Sequence, residues 1–193
     1  MLPLITLEEQ YISREAGSSH FAGFPQELIT KLESLGEERI KDLDNGGVSI
    51  QVISHGPLES SPDVCLKANN ELAQAISRNP TRLAGFSVLP MTDPKAAANE
   101  LSRCVKDIGF VGALVDNHLE QQFWPVFEKA QDLDVPIYLH PTFASNSMLG
   151  HYKGNYGEKS ATALSAFGWA GMLKLDFTFC AYTAVDSSID TPN

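Results

Sequence analysis

The sequence predicts an α/β fold built on a parallel sheet, on three observations. Short apolar runs alternate with amphipathic helical segments along most of the chain, the pattern of βαβ units with right-handed crossovers. The apolar runs are near-continuous, as parallel strands covered on both faces should be. Polar or special residues follow each run at once: Glu8-Glu9, Ser54-His55-Gly56, Pro90-Met91, Asp116-Asn117-His118 and His140-Pro141. In a closed barrel these tips would gather on one rim, where such folds keep their chemistry. In an open doubly wound sheet they would flank a crevice. No Gly-x-Gly-x-x-Gly follows the first strand, which counts against a nucleotide-binding open sheet.

The elements follow in order. Leu2 to Leu7 reads as a first strand. Glu37 to Asn45 reads as a helix stopped by Gly46-Gly47. Val48 to Ser54 is a second strand, and Pro62 to Arg78 a long helix with Ser60 or Ser61 as its cap and Pro62 in its first turn. Leu83 to Leu89 is a third strand. Pro94 to Ile108 is a helix opened by Asp93-Pro94, again a cap and a first-turn proline. Val111 to Val115 is a fourth strand, Leu119 to Leu133 a helix and Val135 to Leu139 a fifth strand. His140 then stands at the C-terminal tip of a parallel strand, and Pro141 stops that strand and fixes its exit. Thr142 to Tyr156 is rich in Gly, Ser and Asn and long enough to be a functional loop. Tyr156 to Leu175 is compatible with helix. Asp176 to Asn193 shows no period and reads as disordered.

Composition narrows the function. The chain has 193 residues, 43% of them hydrophobic, enough for one ordinary core. The net charge of −10, without a Lys/Arg stripe, argues against nucleic acid. Cys65, Cys104 and Cys180 are odd in number and form no Cys-x-x-Cys pair, so a reducing compartment is expected and buried packing is the ordinary role of the first two. No apolar run is long enough to span a membrane and no basic leader precedes the first strand, so a cytoplasmic protein without membrane contact is expected. Gly-x-Ser-x-Gly does not occur, which leaves covalent catalysis without support.

Four segments carry a resemblance. Thr6-Leu7-Glu8-Glu9, Asn79-Pro80-Thr81-Arg82-Leu83-Ala84-Gly85-Phe86, Gly109-Phe110-Val111-Gly112-Ala113 and Val135-Pro136-Ile137-Tyr138-Leu139-His140-Pro141 occur in this order and spacing. Together they resemble the amidohydrolase-related superfamily, in its branch of metal-dependent decarboxylases acting on dihydroxybenzoates, resorcylates, methylsalicylate and aminocarboxymuconate semialdehyde. The resemblance runs from about Leu4 to Trp169. It implies a partial TIM-type (β/α) barrel of about five βα units over residues 1–175, with 176–193 as a non-family tail. A complete barrel takes roughly 250 residues, so a C-terminally truncated and impaired chain is expected, self-associating as a homo-oligomer through its unpaired barrel edges.

The resemblance also implies chemistry. Glu8 and His140 match metal ligands of the family. Carboxylate and imidazole suit a divalent ion, zinc first, with manganese or magnesium as alternatives. The substrate would be a small hydroxylated aromatic acid. Gln10 departs from the pattern, since many relatives carry a histidine there as a further ligand. The family's Gly-His-x-Gly-Glu motif, whose histidine assists proton transfer, and its late aspartate ligand are absent. His55 and His118 follow strands two and four and are candidate substrate contacts. His20, Phe21, Phe24, His151 and Tyr152 are loop residues of unspecific role. Asp116 is an extra carboxylate near the rim, not expected to be a ligand. Glu8 and Glu9 point to opposite faces of a strand, so only one can look inward. The alternatives are a hydrolase on the same barrel, because fold does not fix reaction, and an inactive remnant or interaction module.

Overall fold

A computed structural model describes residues 3–16, 23–56, 61–116, 123–141 and 149–167; the side chain of Glu8 is outside the described set. The elements run β1 (Ile5–Tyr11), α1 (Gln26–Glu33), α2 (Glu37–Asn45), β2 (Ile50–His55), α3 (Pro62–Arg78), β3 (Leu83–Ser87), α4 (Pro94–Arg103), β4 (Gly112–Asp116), α5 (Trp124–Asp132), β5 (Ile137–His140) and α6 (Glu158–Phe167). The sheet order is β1-β2-β3-β4-β5. The first three pairings are parallel. Sequential order with no switch point is the topology of a TIM-type barrel, here a partial one, and decides against the open doubly wound sheet. The described chain forms two compact units, Met1–Val115 with Trp124–Tyr138, and Asp116–Phe123 with Leu139–Asn193.

The first unit separates two apolar layers. Ile53 and Leu83 pack outward with Leu43, Leu72, Cys104 and Phe110 of the helical layer. Val52, Phe86 and Leu114 pack with Ala84 and Tyr138 on the opposite face. This is the alternation that a pleated strand requires. Full burial of Ile53, Leu72 or Leu83 is worth about 1.5–3 kcal/mol each.

Two of the resembling motifs have a structural reason. Arg82 donates from Nε to the Ser49 carbonyl at 3.0 Å and from Nη2 to the Val48 carbonyl at 3.0 Å, and pairs through Nη1 with Asp44 at 2.7 Å. It thereby pins the start of β3 to the start of β2. Gly109 (φ 85) ends the helical segment in the left-handed region, and a Cβ on Gly112 (φ 155) would run into the Pro136 carbonyl and the Phe86 ring. Phe110 between them is buried in the outer layer.

Several expected bounds move. β1 lies at 5–11, not 2–7, because its register slips between Thr6 and Glu9: Thr6 pairs with Gln51 and Glu9 with Ile53. One extra residue therefore bulges at Leu7–Glu8. The other strands end within two residues of expectation, and β2 extends to His55. Helix α1 was not foreseen. The helix over 94–108 closes in a π-helical turn, Cys104–Ile108. Asp93 caps α4 by accepting from the Ala96 amide at 3.0 Å, whereas Ser61 precedes α3 without a side-chain cap bond. Cys65 and Cys104 are buried as expected. Burial pushes the Cys65 thiol up to about 12 and the Cys104 thiol upward as well. Cys180, residues 119–122 of the fourth expected helix, residues 142–148 of the Gly/Ser/Asn loop and the 176–193 tail lie outside the described residues.

Candidate active site

In the first unit the strand exits are fastened to one stretch of helix α3. The Tyr11 hydroxyl donates to the Ala68 carbonyl at 2.6 Å. Burial, then Glu71 and Cys104, push the Tyr11 phenol well above its ordinary value, so it remains a donor. The Ser13 hydroxyl donates to Glu71 at 2.6 Å. Asn69 faces the exit of β3: it accepts from the Val88 amide at 3.0 Å and donates to the Val88 carbonyl at 2.9 Å, standing in for a neighbouring strand. The same Asn69 nitrogen reaches Glu100 Oε1 at 2.7 Å, and Glu100 takes two bonds from Arg103 at 2.7 and 2.8 Å. Burial alone would raise the Glu100 carboxyl, but hydrogen bonds from Arg103 and Asn69 and the Arg103 charge hold it below the usual range. One turn of α3 thus orients the ends of two strands, and polar groups buried there are satisfied.

His55 is neither a solvated loop residue nor open to a ligand in this fold. It ends β2, is 2% exposed and stands edge-on to Tyr11 with centroids 5.0 Å apart. Its Nε2 accepts from the Ser13 amide at 2.9 Å and its Nδ1 lies 2.7 Å from the Gly56 carbonyl. With Nε2 accepting, the ring proton is assigned to Nδ1, and both nitrogens are engaged in holding the β1 exit.

Glu9 takes the helix side of β1. It lines a cavity of about 340 Å³ with Lys31, Glu38, Arg39 and Asp42. Arg39 crosses there, donating to the Ser34 carbonyl, Gln51 Oε1 and the Gln10 carbonyl at 2.7, 3.0 and 3.2 Å. Burial lowers the Arg39 pKa, against the opposing pull of Glu9 and Asp42. Gln10 pairs in register with Ser54. The Ser54 hydroxyl is fully buried and has no hydrogen-bond partner, a feature no sequence pattern signalled.

In the second unit Asp116 ends β4 and His140 ends β5. His140 Nδ1 lies 3.5 Å from Asp116 Oδ1, and the two side chains keep 13% and 28% of their exposure. The Asp116 oxygen is buried and makes no hydrogen bond. Tyr152 is buried in a short 3₁₀ turn, where its carbonyl accepts from the Tyr156 hydroxyl at 2.6 Å, so it packs on its own scaffold. His151 and Phe24 are exposed. His20, Phe21 and His118 lie outside the described residues.

An imidazole and a carboxylate with a buried, unsatisfied oxygen at adjacent strand ends suit a divalent cation or its supporting shell. Among the described residues no group of three His, Cys, Asp or Glu gathers within reach of one ion. The described part of the site thus offers such an ion only the His140 imidazole and the Asp116 carboxylate beside it.

The comparisons agree with the fold. The chain is 39% identical over 183 residues to the decarboxylase orsB of Emericella nidulans, covering 86% of this chain and 55% of that protein. It is 35% identical over 161 residues to a gamma-resorcylate decarboxylase of Polaromonas sp. strain JS666, covering 71% and 49%. A crystal structure of a dihydroxybenzoic acid decarboxylase from Polaromonas sp. JS666, with bound manganese and the inhibitor 2-nitroresorcinol, superposes with a TM-score of 0.77 at 31% identity, covering 95% of this chain and 64% of that one. The chain spans about half the length of the curated relatives it matches. The family profile described as Amidohydrolase matches residues 37–178. The chain belongs to the amidohydrolase family, grouped with these decarboxylases.

Proposed function

We propose that this chain supplies the metal-binding, strand-tip half of a metal-dependent carboxy-lyase acting on small hydroxylated aromatic acids. The observation that carries the reading is the 39% identity to a decarboxylase across 183 residues, 86% of this chain. His140 and Glu8 are the proposed ligands, Glu8 on its Leu-Glu-Glu motif and His140 on its motif and its place at the end of β5. Zinc is the ion the residue types suggest, and the manganese of the Polaromonas structure supports a divalent ion of the same class. When bound, the ion supplies a grip on the acid's carboxylate and neighbouring hydroxyl and a counter-charge as carbon dioxide leaves. The chain's own part is to present the His140 imidazole in a fixed direction and to keep the ends of β1 and β3 in place through α3.

A second reading, an impaired or non-catalytic chain, is favoured by one observation. Gln10 stands where the resemblance expects a further imidazole, and an amide oxygen is a weaker donor to a transition metal. Self-association through the edge of β1 belongs to both readings, because Leu4 just before that strand and Ile5 and Leu7 on it are each about half exposed (49%, 51% and 53%).

The test is carbon dioxide release from a panel of hydroxybenzoates, 2,6-dihydroxybenzoate included, with excess zinc or manganese. Metal-dependent release that 2-nitroresorcinol inhibits is the expected result. Turnover of amide or lactone substrates only would replace the proposal by a hydrolase, and no turnover of either by the non-catalytic reading.

A further inference from the structure

Asp116 and His140 close neighbouring strands, and the carboxylate has a defect in its own hydrogen bonding. Its Oδ1 is buried without a hydrogen bond and faces His140 Nδ1 at 3.5 Å. A charged oxygen withdrawn from water and left without a donor is costly, so such an atom normally has a partner in the working state. The atom in front of it is a ring nitrogen that becomes a donor when it carries the imidazole proton. The gap exceeds an ordinary N–H···O bond of about 2.7–3.2 Å by only a few tenths, and a small ring rotation closes it.

We propose that Asp116 is the positioning residue of His140: its Oδ1 accepts Nδ1–H, which fixes the tautomer and the ring plane and leaves the Nε2 lone pair for a divalent cation. The inference rests on the reading of His140 as a metal ligand and extends it to a residue that no motif marked. Which imidazole nitrogen binds a metal is decided by the hydrogen bond of the other. Nε2 lies on the far edge of the ring, so an ion held there is supported by Asp116 through the imidazole and not touched by it. Outer partners of this kind raise the basicity of the ligand, and their loss typically weakens metal binding about 10–100-fold.

The test uses the full chain and zinc alone, titrated into wild type, Asp116→Ala, Asp116→Asn and His140→Ala. It is joined by ¹⁵N spectra of the histidine rings in the zinc-loaded protein. Expected are a loss of affinity of about 10–100-fold for Asp116→Ala, a loss within about threefold for Asp116→Asn, which keeps an acceptor oxygen, and a His140 ring protonated at Nδ1 and coordinated at Nε2. Wild-type affinity in Asp116→Ala would overturn the positioning role and leave the ligand reading intact. Asp116→Asn as damaging as Asp116→Ala, with Nδ1 coordinated, would make Asp116 a direct ligand and overturn the proposal from the other side. Unchanged zinc binding in His140→Ala, or no zinc binding by wild type, would remove the ligand reading and this inference with it.

Discussion

The exits of β1 and β3 and the exits of β4 and β5 treat polar groups in opposite ways. At the first pair, Ser13, His55, Asn69, Glu71, Glu100 and Arg103 satisfy one another through short bonds of 2.6–3.0 Å. At the second, Asp116 keeps a buried oxygen without a hydrogen bond, 3.5 Å from an imidazole. A saturated network fixes a scaffold and has no valence left for a ligand. A buried carboxylate oxygen without a hydrogen bond still has an acceptor site open. On the proposed reading, the difference separates polar side chains that hold the fold from those that would serve an ion.

The comparison can be broken by substitution. The largest loss is expected at the start of β4, where Gly112→Ala puts a Cβ against the Pro136 carbonyl at φ 155. It should cost about 3 kcal/mol or more, read by denaturant unfolding. Asn69→Leu should follow at about 2–4 kcal/mol, since it strands the Val88 amide and removes a bond from a buried carboxylate. Asp116→Leu should do the opposite of Asn69→Leu, leaving unfolding within about 1 kcal/mol of wild type or raising it, because it deletes an unsatisfied oxygen. Equal losses at Asn69 and Asp116 would erase the distinction.

Acid should sharpen it. The Glu100 carboxyl is held below 4.5 in the folded chain, so the unfolded chain binds its proton first. Its contribution to stability is present above about pH 4.5 and is lost as the pH falls through the folded value. Wild type should therefore lose more stability between about pH 6 and pH 3 than Glu100→Gln, in unfolding curves at each pH. A smaller effect is expected at the open strand edge: Ile5→Lys with Leu7→Lys should reduce self-association in sedimentation, with little change in unfolding.

The sequence made the scaffold legible where local signals and burial agree. Pro62 to Arg78 and Glu37 to Asn45 match their helices to the residue, because a first-turn proline and a glycine pair mark their limits. β1 was misplaced because its bulge and its polar run, Glu8-Glu9-Gln10, break the apolar pattern; Glu9 faces Arg39 across the strand and not a core. Helix α1 escaped because Pro25 caps it without a side-chain bond and Ile29 alone is buried. The place of His140 at the end of β5 was legible from its strand and its proline. The burial of His55 was not, since its partners Ser13 and Gly56 are bonded only after β1 and β2 pair. Asp116 carries no motif, and its significance lies in one interatomic distance.

The central claim is that His140 binds a divalent ion in a site whose absence leaves the fold standing. The most direct measurement is the melting temperature of wild type and His140→Ala, each with and without excess manganese or zinc. A ligand at about a hundred times its Kd adds about 2.7 kcal/mol to the native state, so the wild type should melt several degrees higher with metal. His140→Ala should melt cooperatively at the metal-free wild-type temperature and show no rise. A rise in His140→Ala equal to that of wild type would contradict the account.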